Sequence, residues 1–329
     1  MPGSRHRRGT SLNGILLVDK PQGITSHGVV ASVRRLLGTR KVGHTGTLDP
    51  LATGLLPILV GEATRLSAWV SDSDKEYLAT AHLGVTTDTL DADGATLVTR
   101  PLPTGEALEP SRIEALLEGF VGPQTQRVPR YSAVKVQGRA LHARARAGES
   151  PLDVPPRQIT IYALELTSLD PPRLTLRVHC SKGTYVRQLV SDLGESIGCG
   201  AHLVALRRTR VGSLDVEDAT PLSTIEAAPD SARGKLITVA DWLGGVMPSV
   251  TCDHDAAART RQGQRLPWSR FGSPKLPQGA RFIIVSGGHV VALAELFTPW
   301  SESPGPCYRL LRVFSPSGDA EDGGERLDP

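Results

Sequence analysis

The chain has 329 residues, 39% of them hydrophobic and 22% charged, with 37 Lys and Arg set against 34 Asp and Glu for a formal charge of +3. That composition excludes a disordered or fibrous chain and leaves room for two globular domains. No apolar run approaches the ~18 residues of a membrane span, and the basic start MPGSRHRRGT has no apolar stretch behind it, so neither a span nor an export signal is expected.

Residues 1–11 read as a disordered basic arm. NGILLVDKP predicts a buried strand stopped by Pro21. SHGVVASVRRLLG predicts a helix with Ser26 as its cap and Val29, Val30, Val33, Leu36 and Leu37 on one face. After the loop VGHTGTLDPLATG come GLLPILVG as a strand and EATRLSAWV as a helix. KEYLATAHLG alternates, placing Tyr77, Ala79, Ala81 and Leu83 on one face of a strand. EPSRIEALLEGFVG sets Ser111 and Glu114 at capping-box spacing above the stripe Ile113, Leu116, Leu117 and Phe120. RLTLRVHC is an alternating strand that runs into SKGTYVRQLVSDLGESIG, a helix opened by a glycine, and HLVALRRTRVG reads as a further strand. GGVMPS, near residues 244–249, marks a boundary. Beyond it ARFIIVSGGHVVALAEL reads as two strands joined through Ser286, Gly287 and Gly288, CYRLLRVF as a third, and residues 316–329 as a solvated acidic tail. Strands and helices mix without a regular βαβ beat. The expected class is therefore α+β, with a mixed, mostly antiparallel sheet flanked by helices and a small β-rich C-terminal domain.

The charge is unevenly placed. Through Leu48 eight basic residues face one acid, and the segments Arg127–Arg157 and Arg173–Gly212 each carry seven basic residues against two acids. The acids gather instead in Asp72–Asp93 and after Ser317. Three basic zones could converge on one surface for a polyanion, or be scattered solvated charge. Cys180, Cys199, Cys252 and Cys307 are far apart with no CxxC pair, which argues against a zinc site or a disulfide framework and fits a reducing cytoplasm.

Two stretches carry chemistry. In VGHTGTLDPLATG, residues 42–54, Asp49 is a lone acid among glycines, threonines and a proline. One reading is a turn initiated by the Asp-Pro pair. Alternatively, a loop of small residues holds a reactive carboxylate exposed beside a bulky substrate, as nucleophile, base or metal ligand; no metal-ligand cluster accompanies it. His44 fits either a structural bond to a backbone carbonyl or a contact with the same substrate. In CSKGTYVRQL, Gly183 and Thr184 at a helix start present free N–H groups to an anion, and Tyr185 and Arg187 follow near the first turn. Arg187 reads as a solvated arginine of an amphipathic helix or as the partner that keeps a buried carboxylate ionised and aimed.

VGHTGTLDPLATG, KEYLATAHLG, YSAVKVQGRALHARARAG, CSKGTYVRQLVSDLG and GAHLVALRRTRVG occur in the order and near the spacing seen in bacterial TruB-type tRNA pseudouridine synthases, a resemblance that covers about residues 12–215. It implies the pseudouridine synthase fold over residues 12–246, with an RNA-clasping insertion at about 124–152, and a PUA-like domain at 248–315. It also implies isomerisation of uridine 55 in the T-loop of tRNA, without cofactor or metal, by a cytoplasmic monomer. On the same resemblance Asp49 is the catalytic aspartate, attacking sugar or base, and Arg187 is its ion-pair partner. Tyr77 stacks on the flipped uracil and assists removal of the C5 proton. Tyr185 and Leu206 line the base pocket, and His44 contacts the everted loop. Val128 stands where the family more usually has a proline, and the C-terminal region departs further from the family pattern. Two other readings are a catalytically idle RNA-binding protein on this scaffold, and uridine C5 methylation through Cys180, which would need a methyl-donor loop that the chain does not display.

Overall fold

The structure is a computed structural model that describes residues 12–150, 152, 154–272, 275–297 and 308–315; the expected basic arm and acidic tail lie outside the described residues, as does Cys307. In chain order the strands are β1 (Gly14–Lys20), β2 (Val42–His44), β3 (Thr53–Val60), β4 (Lys75–Leu83), β5 (Val85–Thr87), β6 (Thr96–Thr99), β7 (Gly122–Gln126), β8 (Lys135–Val136), β9 (Arg139–Ala140), β10 (Arg157–Asp170), β11 (Arg173–Cys180), β12 (Ala201–Val211), β13 (Leu214–Asp215), β14 (Thr220–Pro221), β15 (Ser249–Thr251), β16 (Arg281–Ser286), β17 (His289–Leu296) and β18 (Tyr308–Val313). The helices are α1 (Ser26–Leu37), α2 (Ser67–Asp72), α3 (Pro110–Glu118), α4 (Leu141–Arg146), α5 (Val186–Ile197), α6 (Leu222–Ala227), α7 (Pro229–Gly234), α8 (Val239–Gly244) and α9 (His254–Arg261). Among the described residues no helix is long and apolar enough to cross a membrane.

One large sheet runs β14-β1-β3-β12-β4-β11-β10-β7, with β2 added to β3 and β13 to β12. Its pairs are antiparallel except β1 with β14 and β3 with β12, so the sheet is mixed and mostly antiparallel, as expected. Composition decides which half of it meets water. GILLVDK and TGLLPILV are apolar throughout, and both faces of β1 and β3 are covered. Leu16, Val18, Leu56 and Ile58 pack with Val29 and Val33 of α1 on one face. On the other, Ile15, Leu17, Leu55 and Leu59 pack with Trp242 and Leu243 of α8. β4 alternates instead: Tyr77, Ala79, Ala81 and Leu83 are buried, while the residues between them are half-buried on the opposite face.

The C-terminal strands form a second sheet in the order β15-β16-β17-β18. The turn through Gly287 and Gly288, both at positive φ, joins β16 to β17 as the sequence predicts. Residues 244–249 are not a free linker, because Ile283, Val290, Leu293 and Phe314 complete the cluster that holds Leu17, Leu55 and Leu59. The Arg281 guanidinium lies 4.4 Å from the Trp69 ring centroid, and Arg65 donates to the Val313 carbonyl at 2.7 Å.

Local signals misplace some element ends. Thr25, not Ser26, caps α1 by accepting from the Gly28 N–H. Ser26 is buried and holds Leu48 from both sides, its Oγ donating to the carbonyl at 3.0 Å and accepting from the N–H at 2.9 Å. Glu109 is the N-cap of α3 and Pro110 opens it, so the Ser111–Glu114 capping box does not form; Pro110 needs no N–H there, which shifts the start back. EATRLSAWV divides into a 3-10 segment, Gly61–Leu66, and the short α2. α5 begins at Val186, three residues after Gly183, so Gly183 lies in a turn and not at the helix start.

Candidate active site

Asp49 sits in the loop between β2 and β3, and the sequence around it explains how a loop is made rigid. Lys20, at the end of β1, is fully buried and its ammonium donates to the carbonyls of Pro50 (3.4 Å), Ala52 (2.5 Å) and Pro21 (3.0 Å). Burial pushes the Lys20 ammonium down to about 8, against the opposing pull of Asp49. Arg208 of β12 is equally buried and donates to the Leu55 carbonyl at 2.8 Å and the Gly46 carbonyl at 3.1 Å. Two glycines make this possible. Gly54 (φ +97°) faces the Arg208 backbone so closely that a Cβ would lie 2.3 Å from its carbonyl oxygen, and at Gly46 (φ +73°) a Cβ would meet the guanidinium at 3.1 Å. Both glycines therefore admit Arg208, and Gly46 also lies on the cleft lining. Thr45 is fully buried as well, and among the loop's hydroxyls Thr47 is the one on the cleft lining.

The cleft has a volume of about 590 Å³ and is lined by Asp49, Tyr77, Gly183, Tyr185, Arg187 and Leu206 together. Arg187, in the first turn of α5, is 6% exposed, and its Nε lies 3.0 Å from Asp49 Oδ2. A cation at a helix N-terminus works against the helix dipole, so the position needs acids around it. Asp49 is one. Asp91, 5% exposed, is the second, with Oδ2 3.4 Å from Arg187 Nη1. The remaining donors reach the carbonyls of Thr89 and Tyr131, each at 2.8 Å. Burial holds the Asp49 carboxyl above the ordinary carboxylate range; Arg187 and Lys20 draw it back down, and Asp91 adds to the rise. Its side chain is 40% exposed, open to the cleft on the side away from Arg187.

Tyr77 projects from the core face of β4 and is hydrogen-bonded to Arg208; burial pushes its phenol up. Leu206 of β12 stands in register with Ala79 of β4, on the same side of the sheet. His44 is not brought to the lining. Its ring meets His27 edge to face at 5.2 Å, and it is His27 that lines the cleft. His44 Nδ1 is buried without a hydrogen-bond partner, so the structural alternative, a bond to a backbone carbonyl, is not formed at that atom, and burial, His27 and Arg208 push the ring down to about 4, keeping it neutral. Tyr131, Ser132, Ala133, His142 and Arg146, from the segment between β7 and β10, close the far side.

No local signal in the sequence marks Asp91, Lys20 or Arg208. Asp91 is one of several acids in an acidic stretch, while Lys20 and Arg208 belong to the basic zones. The basic zones thus do not all face solvent, since Lys20, Arg187 and Arg208 are internal. Cys180 is buried with its thiol pushed up to about 11, which deprives a methyl-transfer reading of its thiolate.

The model of the TruB family pseudouridylate synthase N-terminal domain matches residues 34–186, and that of the tRNA pseudouridylate synthase B C-terminal domain matches residues 187–238. The tRNA pseudouridine synthase B of Xylella fastidiosa is 46% identical over 291 residues, covering 88% of this chain and 95% of the relative. That of Ralstonia pickettii is 45% identical over 260 residues, covering 78% and 80%. In a solved Cbf5-Nop10-Gar1 complex, a chain 26% identical superposes with a TM-score of 0.70 over 93% of this chain and 86% of its own. Family models, relatives and superposition agree, and the chain belongs to the TruB family of pseudouridylate synthases.

Proposed function

We propose that this pseudouridine synthase isomerises uridine 55 in the T-loop of tRNA, with Asp49 as the nucleophile on a flipped-out uridine. The observation that carries the reading is the Asp49–Arg187 pair, an acid exposed to the cleft on one side and held at 3.0 Å by a buried guanidinium on the other. The relatives' name, tRNA pseudouridine synthase B, supports tRNA as the substrate. The reaction exchanges the N1–C1′ bond of uridine for a C5–C1′ bond and moves the C5 proton to N1, so no atom is gained or lost. The ionised Asp49 attacks the nucleoside, the glycosidic bond breaks, the detached uracil turns, and C5 rejoins the sugar as the adduct with Asp49 collapses. Extracting the base costs a few kcal/mol, roughly what stacking on the Tyr77 ring returns, about 1–3 kcal/mol per base. Tyr185 and Leu206 bound the pocket in which the base turns. The segment of about residues 124–152, which carries Tyr131, His142 and Arg146 on the lining, acts as the clasp over the RNA.

Tritium release from a tRNA transcript carrying C5-tritiated uridine tests the reading. The protein releases tritium from the normal transcript and not from one with cytidine at position 55. Release that persists on the second transcript overturns the site assignment. Asp49→Ala abolishes release while tRNA affinity stays within about threefold of the parent; wild-type turnover in that variant would remove Asp49 from the chemistry.

A further inference from the structure

The proposed chemistry needs Tyr185 and Arg187 in fixed register with Asp49, yet both sit at the start of α5, where backbone N–H groups lack helical partners. Tyr185 is the N-cap: its carbonyl accepts the first helical bond, from the Leu189 N–H at 3.1 Å, and its own side chain makes no capping bond. Its N–H is held from elsewhere, and its carbonyl takes a second donor from the same group. Gln126, the last residue of β7 and 3% exposed, accepts from the Tyr185 N–H at 2.8 Å through Oε1 and donates to the Tyr185 carbonyl at 3.1 Å through Nε2. One carboxamide thus makes the two bonds that a neighbouring strand would make, across 59 positions of sequence. Gln126 is not part of the cleft lining, so it does not touch a ligand there. It is, however, the root of the segment that reaches over the cleft, and five residues on, the Tyr131 carbonyl accepts from Arg187 Nη2 at 2.8 Å. The base of that segment is therefore fastened at two points to the helix start that carries the cation.

We propose that Gln126 is a positioning residue for the isomerisation: through Tyr185 and Arg187 it links the seating of the clasp on RNA to the aim of the Asp49–Arg187 pair. The proposal rests on the function given above. The position requires a coplanar donor and acceptor. Gln126→Met keeps the volume and offers neither. Gln126→Glu, when ionised, turns a negative oxygen toward the Tyr185 carbonyl. When protonated it donates from O–H and accepts at C=O, which restores the pattern.

Single-turnover rates at saturating tRNA, tRNA affinities and thermal melts of the full chain test this. Displacing a catalytic group by about 1 Å can cost about a hundredfold, so Gln126→Met lowers the rate roughly 10- to 100-fold while affinity changes by less than about threefold and the melt remains cooperative. Gln126→Glu is similarly slow wherever its carboxyl is ionised, and its rate relative to the parent recovers as pH falls and the glutamate, buried beside the Tyr185 carbonyl, takes up its proton. A parent protein inactive on tRNA defeats the functional reading itself. With an active parent, Gln126→Met within about threefold of it at neutral pH, or Gln126→Glu within about threefold of it across pH 5–9, overturns the positioning role and leaves the function standing. A loss confined to affinity makes Gln126 an RNA-binding residue and overturns it too. If Gln126→Met does not fold, Gln126→Glu decides, and a rate ratio flat with pH overturns the proposal.

Discussion

Two segments face each other across the cleft, and they are held by opposite means. The loop of residues 42–54 is fixed by buried donors: Lys20 on the carbonyls of Pro50 and Ala52, Arg208 on those of Gly46 and Leu55, and Ser26 on Leu48. In a low-dielectric interior such bonds are strong when made and costly when broken. The segment that closes the far side is held at its outer end by Glu149, which pairs with Arg139 at 2.6 Å and Arg144 at 2.7 Å near the surface, where ion pairs contribute little. Only its base is fixed from within, by Gln126 on Tyr185 and the Tyr131 carbonyl on Arg187, and the Tyr131 hydroxyl donates to Asp88 at 3.3 Å. The difference teaches a division of labour: the carboxylate proposed to attack is fixed in advance, and the outer part of the segment proposed to clasp RNA stays adjustable.

Breaking the fixed side has the largest effects. Asp49→Asn lowers the single-turnover rate at least ~10³-fold. It does so without destabilising the fold at neutral pH, because burial holds the folded-state Asp49 above its unfolded value and its ionisation works against folding. The native state takes up the proton at higher pH than the unfolded chain, so the Asp49 contribution is fully present below the unfolded pKa and is lost as pH rises through the folded one. Melts across pH 4–8 therefore show an advantage of the Asn variant at pH 7 that shrinks on acidification; a lower Tm for Asn at pH 7 contradicts this. The parent's activity likewise falls on acidification through that raised pKa, above the ~3.9 of a free aspartate.

Arg208→Met tests the scaffold instead of the proposed nucleophile. It leaves the carbonyls of Gly46 and Leu55 without their donor and should cost about 2–5 kcal/mol in urea unfolding. A change below about 1 kcal/mol would mean that the loop does not depend on this cation. Arg187→Lys retains charge but cannot reach Asp49, Asp91 and two carbonyls at once, and a loss of about a hundredfold in rate at saturating tRNA is expected with little change in affinity. Glu149→Gln, on the adjustable side, should matter least, with turnover within about threefold of the parent and a Tm shift of no more than ~2 °C. A large loss there would erase the contrast between the two segments.

Much of the fold could be read directly from residue patterns. The unbroken apolar runs at 14–20 and 53–60 and the alternation at 75–83 report which strands are covered on one face and which on two. Asp49, Tyr77, Tyr185, Arg187 and Leu206 could be named because their motifs are family signatures. What stayed hidden is polar side chains whose partners are backbone atoms far along the chain. Arg208 meets Leu55 across 153 positions and Gln126 meets Tyr185 across 59, and nothing local distinguishes such residues from a solvated Arg or Gln. Helix starts were misread for a related reason, since Ser26 looks like a cap but is engaged by Leu48, 22 residues on.

The apolar seam beneath β1 and β3 has a practical corollary. Because Ile283, Leu293 and Phe314 sit against Leu17, Leu55 and Leu59, cutting the chain after Gly244 would strip the lid from the very strand that ends in Lys20. Such a fragment would be sticky and loosened where Lys20 holds the Asp49 loop, so an engineer seeking a minimal enzyme should replace those contacts with polar side chains before shortening it.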